Sequence, residues 1–306
     1  MRIEFEKTAT ISLSQFYLRR VLRIFPPFYL VLAAASALTM SGLLSPHLEL
    51  QAVLAQVFHL TNYYIVRHGW WTGMAPGTWV YWSLAVEEHF YLVFPLLFLL
   101  LRRRLPSVAA LAPWLLGLCA LVLAWRCLLV FGFDAPKDRL YVASDTRVDS
   151  ILFGCILAVW RNPVLEPREI NQQQLLRYWL PGGVLLVLFG FVVRQQWFDQ
   201  TFRYTLQSVG LLPFFAAAIL WHDRWPFRIL RFAPLRRLGV LSYSLYLLHT
   251  VALRAAETWT HWNELLRGVV VLAVIVGLAE LIHRFVEKPC AGYRRRLSRY
   301  LSPGAA

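Results

Sequence analysis

Residues 78–101 read TWVYWSLAVEEHFYLVFPLLFLLL, an apolar run that holds Glu87, Glu88 and His89 well inside it. About 20 apolar residues, at ~1.5 Å per residue, cross the hydrocarbon of a bilayer, and residues 79–101 are read as such a span. Glu87 to His89 then stand about 12 to 15 Å from its start, near mid-bilayer. Each charge there costs a few kcal/mol on insertion scales. Ser83, Glu87 and Tyr91 recur four residues apart and share one helix face, whereas Glu88 is turned about 100° away. Glu87 is therefore the carboxylate expected to face a polar interior. An arginine partner that merely fixes helix packing is the plainer reading; a chemical site is the preferred one.

Working outward, the same pattern recurs from end to end. Hydrophobic residues make up 58% of the 306, charged ones only 16%, and mean hydropathy is +0.51. That is more apolar surface than one soluble core encloses. The expected fold is an all-α polytopic transmembrane helical bundle forming one domain over residues 1–306. Eight spans are expected, at residues 20–44, 79–101, 107–131, 142–160, 176–193, 202–221, 238–254 and 268–283. A ninth segment, residues 48–66, is interrupted by Glu49, Gln51, Gln56 and His59. It reads as an interfacial or re-entrant helix.

Charge orients this bundle. With eight crossings, 22 of the 31 lysines and arginines fall on or near one side and eight on or near the other, and Arg126 is left inside a span. By the positive-inside rule both termini are expected in the cytoplasm. The net charge of +14 does not point to nucleic acid, because the basic residues form short clusters between apolar runs. The basic tail of residues 293–300 is expected on anionic membrane lipids. Cys119, Cys127, Cys155 and Cys290 have neither metal-ligand nor paired spacing, and no metal or bound cofactor is expected.

Further polar residues interrupt the apolar pattern. Arg20 and Arg23 share a helix face where the first span leaves the cytoplasm, a pair able to grip phosphates or simply to anchor the helix. Pro26 and Pro27 follow, and prolines in a span free backbone carbonyls and commonly shape a cavity. His249, in LGVLSYSLYLLHT, should reach a depth similar to that of Glu87. It reads equally as a hydrogen-bonded core residue or as a titratable partner. Arg147 and Asp149, in SDTRVDSILFG, read as a local ion pair. Glu280, His283 and Glu287 read as a solvated helix end. No nucleophile elbow or glycine-rich phosphate loop is present.

Taken in order, FYLRRVLRIFPPFY, WSLAVEEHFYLVFP, RVDSILFGCILA, LGVLSYSLYLLH and FVEKP resemble the acyltransferase 3 family of membrane acyltransferases. The resemblance runs from about residue 12 to 293. It implies transfer of an acyl group, usually acetyl, from acyl-CoA to a hydroxyl of a cell-surface polysaccharide, lipopolysaccharide or lipid-linked glycan, at a bacterial inner membrane. By motif match, Arg20 and Arg23 would engage the CoA phosphates, Glu87 would be the family's buried acid, and Arg147 with Asp149 its R-x-D pair. The family normally starts with two more spans that carry an arginine and, eleven residues later, a histidine held to be catalytic. None of the eight histidines here has an arginine eleven positions before it, so the chain reads as lacking those spans. His249 is the candidate to act as base with Glu87. The competing readings are a catalytically incomplete remnant and a proton-coupled transporter.

Overall fold

The computed structural model describes residues 2–8, 10–44 and 47–300, and among them every regular element is helical. Seven helices are long and apolar enough to cross a membrane. In chain order, with one shorter helix included, they are α1 (Leu13–Met40), α2 (Thr78–Arg104), α3 (Leu111–Phe131), α4 (Ser144–Val159), α5 (Gln172–Val192), α6 (Phe202–Leu220), α7 (Ala233–Trp259) and α8 (Glu264–Leu297). The polytopic helical bundle expected from the sequence is thus present. One expected span differs: α4 has 16 residues, about 24 Å of helix, short of the roughly 30 Å of hydrocarbon. It stops there because Trp160 turns to extended backbone and Arg161 takes a left-handed φ of 51°.

By its contacts the chain divides into two compact units. The first holds Ile3–Trp82 with Ala233–Ala306, the second Ser83–Phe232 with Arg2.

In the first unit, α1 is one continuous helix although it contains Pro26 and Pro27. Neither proline has an amide hydrogen to donate, so the carbonyls four residues earlier, those of Leu22 and Arg23, have no helical partner. The segment expected to lie at the interface is a pair of short helices, Leu50–Val57 and Thr61–His68. Eight residues each, about 12 Å, cannot cross a bilayer. They break at His59, whose φ is +54° and whose ring lies against Phe25 and Phe28 of α1, with centroids 5.1 and 4.5 Å apart.

The junction of α7 with the start of α2 is tied by polar bonds. Tyr81 donates to the Leu247 carbonyl at 2.9 Å, Thr250 donates to that of Gly77 at 2.6 Å, and Tyr246 donates to that of Val80. Gly77 has φ +87°, and a Cβ there would lie 2.5 Å from the Thr250 backbone. Only glycine satisfies both demands.

In the second unit, α3 packs along α4, and α5 along α6. The second pair meets through facing glycines: a Cβ on Gly183 would come within 2.5 Å of the Gly210 carbonyl oxygen, and one on Gly210 within 2.8 Å of that of Gly183. Lipid supplies no hydrophobic drive for helix association, so close backbone approach of this kind provides the attraction. On α2, Phe90, Phe94 and Phe98 are buried as a stripe of period four, and the first two rings stack at 4.6 Å.

Candidate functional site

Each unit carries one polar cluster. In the first, α1, α7 and α8 surround a cavity of about 660 Å³ whose lining includes Arg23, Ser242, Tyr243, His283, Glu287, Lys288, Arg294 and Arg295. Two local features build it. Leu22 and Arg23, whose carbonyls the prolines release, both line it. On α8 the backbone passes through a π-turn at His283–Glu287, which widens the helix by one residue and re-aims the side chains that follow. Tyr243 fastens α7 to α1 by donating to the Ile24 carbonyl at 2.9 Å.

The cavity is built for an anion. Both oxygens of Glu287, its one carboxylate, are already used: Ser244 donates to one at 2.6 Å and His283 Nδ1 lies 2.7 Å from the other. Four cations, Arg23, Lys288, Arg294 and Arg295, share the remaining lining. Arg23 lines the cavity, whereas Arg20 is set against Phe16, its guanidinium carbon 5.6 Å from the ring centre. Sequence reading assigned His283 and Glu287 to a solvated helix end and missed Lys288, Arg294 and Arg295. The closely spaced basic run at 294–296 was the available signal.

His249 lies on an exposed part of α7. Its Nδ1 is 2.6 Å from the Tyr246 carbonyl oxygen. A carbonyl only accepts, so Nδ1 carries the hydrogen, and Nε2 is the ring nitrogen left to exchange a proton.

The second unit holds the other cluster. Arg126 and Asp149 are both fully buried and form an ion pair at 2.6 Å. Arg126 also donates to the Thr146 carbonyl at 3.3 Å and to Thr205, and Thr205 donates to Asp149 at 3.0 Å. The local pair expected between Arg147 and Asp149 is corrected here: Asp149 takes Arg126, from a different helix. Residues two apart on a helix point about 200° away from each other, so they cannot face one another. Arg147 instead lies over the Tyr204 ring, its guanidinium carbon 3.8 Å from the centre, with Tyr141 at 5.6 Å. Near the start of α4, Asp145 accepts from Trp125 at 2.7 Å and from Arg139, and His89 lies 2.6 Å from the Ser144 hydroxyl.

Glu87 and Glu88 are partly buried on α2. Glu87 belongs to the second unit with Arg147 and Asp149, whereas Arg20, Arg23 and His249 belong to the first. Among the described residues no group of three or more His, Cys, Asp or Glu side chains could hold a metal ion.

A set of membrane-crossing helices with a basic cavity and a buried ionic core defines a multi-pass membrane protein. Comparison with known proteins sharpens this, because the acyltransferase 3 model, described as an acyltransferase domain, matches residues 6–284. The chain belongs to that family. It is 28% identical over 301 residues to the O-acetyltransferase OatA of Staphylococcus aureus strain NCTC 8325, a match covering 94% of this chain and 49% of the relative. The peptidoglycan O-acetyltransferase OatA of Listeria monocytogenes is also 28% identical, over 94% of this chain and 47% of its own length. A putative O-acetyltransferase of S. aureus strain COL is 24% identical, with 94% and 49% covered. The chain thus spans about half the length of these relatives. No solved structure matches.

Proposed function

We propose that this chain carries out acyl transfer within the membrane, moving an acyl group, acetyl by likeness to its relatives, from acyl-CoA to a hydroxyl of a cell-surface or lipid-linked glycan. One observation carries the reading: the cavity that gathers Arg23, Lys288, Arg294 and Arg295 in a chain of the acyltransferase 3 family. CoA is rich in phosphate, and clustered guanidinium and ammonium groups are what recognises phosphate. The donor would reach this cavity from the cytoplasm, the side on which charge bias puts both termini of a protein in the bacterial inner membrane. That the Listeria relative is a peptidoglycan O-acetyltransferase favours peptidoglycan over lipopolysaccharide as acceptor.

The chemistry is attack of the acceptor hydroxyl on the thioester carbonyl. A base takes the hydroxyl proton as the C–O bond forms, the C–S bond then breaks, and the proton passes to the departing thiolate. His249 is the candidate base, Nε2 being the ring nitrogen left to take the proton. In the second unit, Arg147 is suited to an oxyanion and Glu87 is the carboxylate candidate. Arg23, with Lys288, Arg294 and Arg295, would hold the phosphates.

The test is a deletion strain complemented with the wild-type gene, with Arg23→Ala or with Glu87→Ala, and mass spectrometry of its surface glycans. Loss of the acyl increment on deletion, its return with the wild type and its reduction in both variants are expected. Glycans unchanged by deletion would overturn the function, and wild-type product from both variants would overturn the residues assigned to it.

A further inference from the structure

Arg126 is absent from every motif that carries the family resemblance, yet among the described residues it is the largest fully buried side chain. It comes from the C-terminal part of the apolar run of α3 and reaches two other helices. On α4 it pairs with Asp149, and on α6 it donates to Thr205. Two donors share a single oxygen of Asp149: Oδ2 accepts from Arg126 Nη2 at 2.6 Å and from the Thr205 hydroxyl at 3.0 Å. Tyr204, the residue next to Thr205, is the platform under Arg147 at 3.8 Å and also lies 5.9 Å from the Arg126 guanidinium. The Arg126 network therefore fixes where α6 stands against α4 at the level where Arg147 leaves the helix.

The consequence falls on Arg147. Its Nη1 is buried and has no hydrogen-bond partner among the described residues. Its side chain is held by the face of an aromatic ring, which orients a guanidinium while leaving its in-plane donors for a ligand. With Asp149 neutralised by Arg126, no carboxylate among the described residues takes those donors. A desolvated, oriented guanidinium of this kind stabilises a developing oxyanion far better than one in water.

We propose that Arg126 is a positioning residue of the acyl-transfer site: by holding Asp149 and Thr205 it keeps Arg147 flat on Tyr204 with its donors available to negative charge on the reacting acyl group. The inference rests on the function proposed above, and it assigns Asp149 a supporting role in place of direct substrate binding.

The test compares membranes containing the wild type, Arg126→Lys, the paired neutral variant Arg126→Met with Asp149→Asn, and each of these with Arg147→Lys. Removing both charges together avoids leaving one buried and uncompensated, so the paired variant should fold and melt as the wild type does. Its kcat/KM should nonetheless fall at least about tenfold, through kcat rather than the donor KM, since the contact is made as charge develops. Arg126→Lys should recover part of that loss. Arg147→Lys should cost much less in the paired variant than in the wild type, the non-additivity of residues acting as one unit. Should the paired variant fail to fold, Thr205→Val, which leaves the ion pair intact, should lower kcat in the same direction by a smaller factor. Wild-type turnover by the paired variant, or additive effects of the Arg126 and Arg147 changes, would overturn the role of Arg126 and leave the function standing. A wild-type chain that moves no acyl group would overturn both.

Discussion

In the first unit the charges line an open cavity of about 660 Å³, where Arg23, Lys288 and Arg295 are all exposed. In the second unit Arg126 and Asp149 are fully buried and spend their charge on each other. The contrast separates two uses of charge in an apolar bundle. Exposed cations contribute little to stability but determine what anion enters. A buried pair contributes little net stability as a pair, yet removing one partner strands the other in a medium that cannot solvate it. Substitutions in the cavity should therefore change ligand affinity at nearly constant stability, and substitutions in the buried core should do the reverse unless both partners go together.

The largest expected effect breaks the buried side of this contrast. Arg126→Met alone should destabilise the protein by about 3–5 kcal/mol, read as a lowered melting temperature in detergent, because Asp149 is left charged and unpaired. Stability equal to wild type would mean that the pair is solvated after all. Next, Gly183→Val or Gly210→Val should cost on the order of 1–3 kcal/mol in the same measurement, since the added carbons meet a carbonyl oxygen across the α5–α6 contact. This stabilising contact carries no charge, so added salt should not alter the loss.

The exposed side is probed by Arg23→Ala and by Arg294→Gln with Arg295→Gln. Each should weaken acyl-CoA binding several-fold, about 1 kcal/mol, with the loss shrinking as salt is raised and the melting temperature unchanged. The smallest effect concerns Glu166, between α4 and α5. Its hydrogen bond from Arg2 holds its carboxyl below the ordinary value of 4.5. A lowered folded pKa means that this contribution is present above about 4.5 and is lost as pH falls through the folded value. The melting temperatures of wild type and Glu166→Gln should therefore differ slightly near neutral pH and converge under acid.

Much of the bundle was legible in the sequence because a run of apolar residues long enough for a bilayer admits one backbone solution, a helix that satisfies its own hydrogen bonds. The expected span at residues 142–160 came out at 16 residues, since hydropathy does not register the left-handed turn at Arg161 that ends it. Arg23 was legible as a phosphate-binding candidate, whereas Lys288, Arg294 and Arg295 were not: they are some 270 residues away in the chain and reach the same cavity only through a π-turn. The partner of Asp149 was misread for a related reason. Arg147 is near in sequence but on another helix face, and Arg126 is remote in sequence but adjacent in space.

The sequence by itself determined the solvent of this protein, the approximate positions of its crossings and the presence of charges too costly to be idle inside them, because hydropathy and helical period are local properties of the chain. Only the tertiary structure decided which charge neutralises which, which arginines share a cavity and which His249 nitrogen is left to exchange a proton. Those outcomes depend on contacts between distant segments, and in an apolar medium each contact left unmade costs more than any local preference can offset.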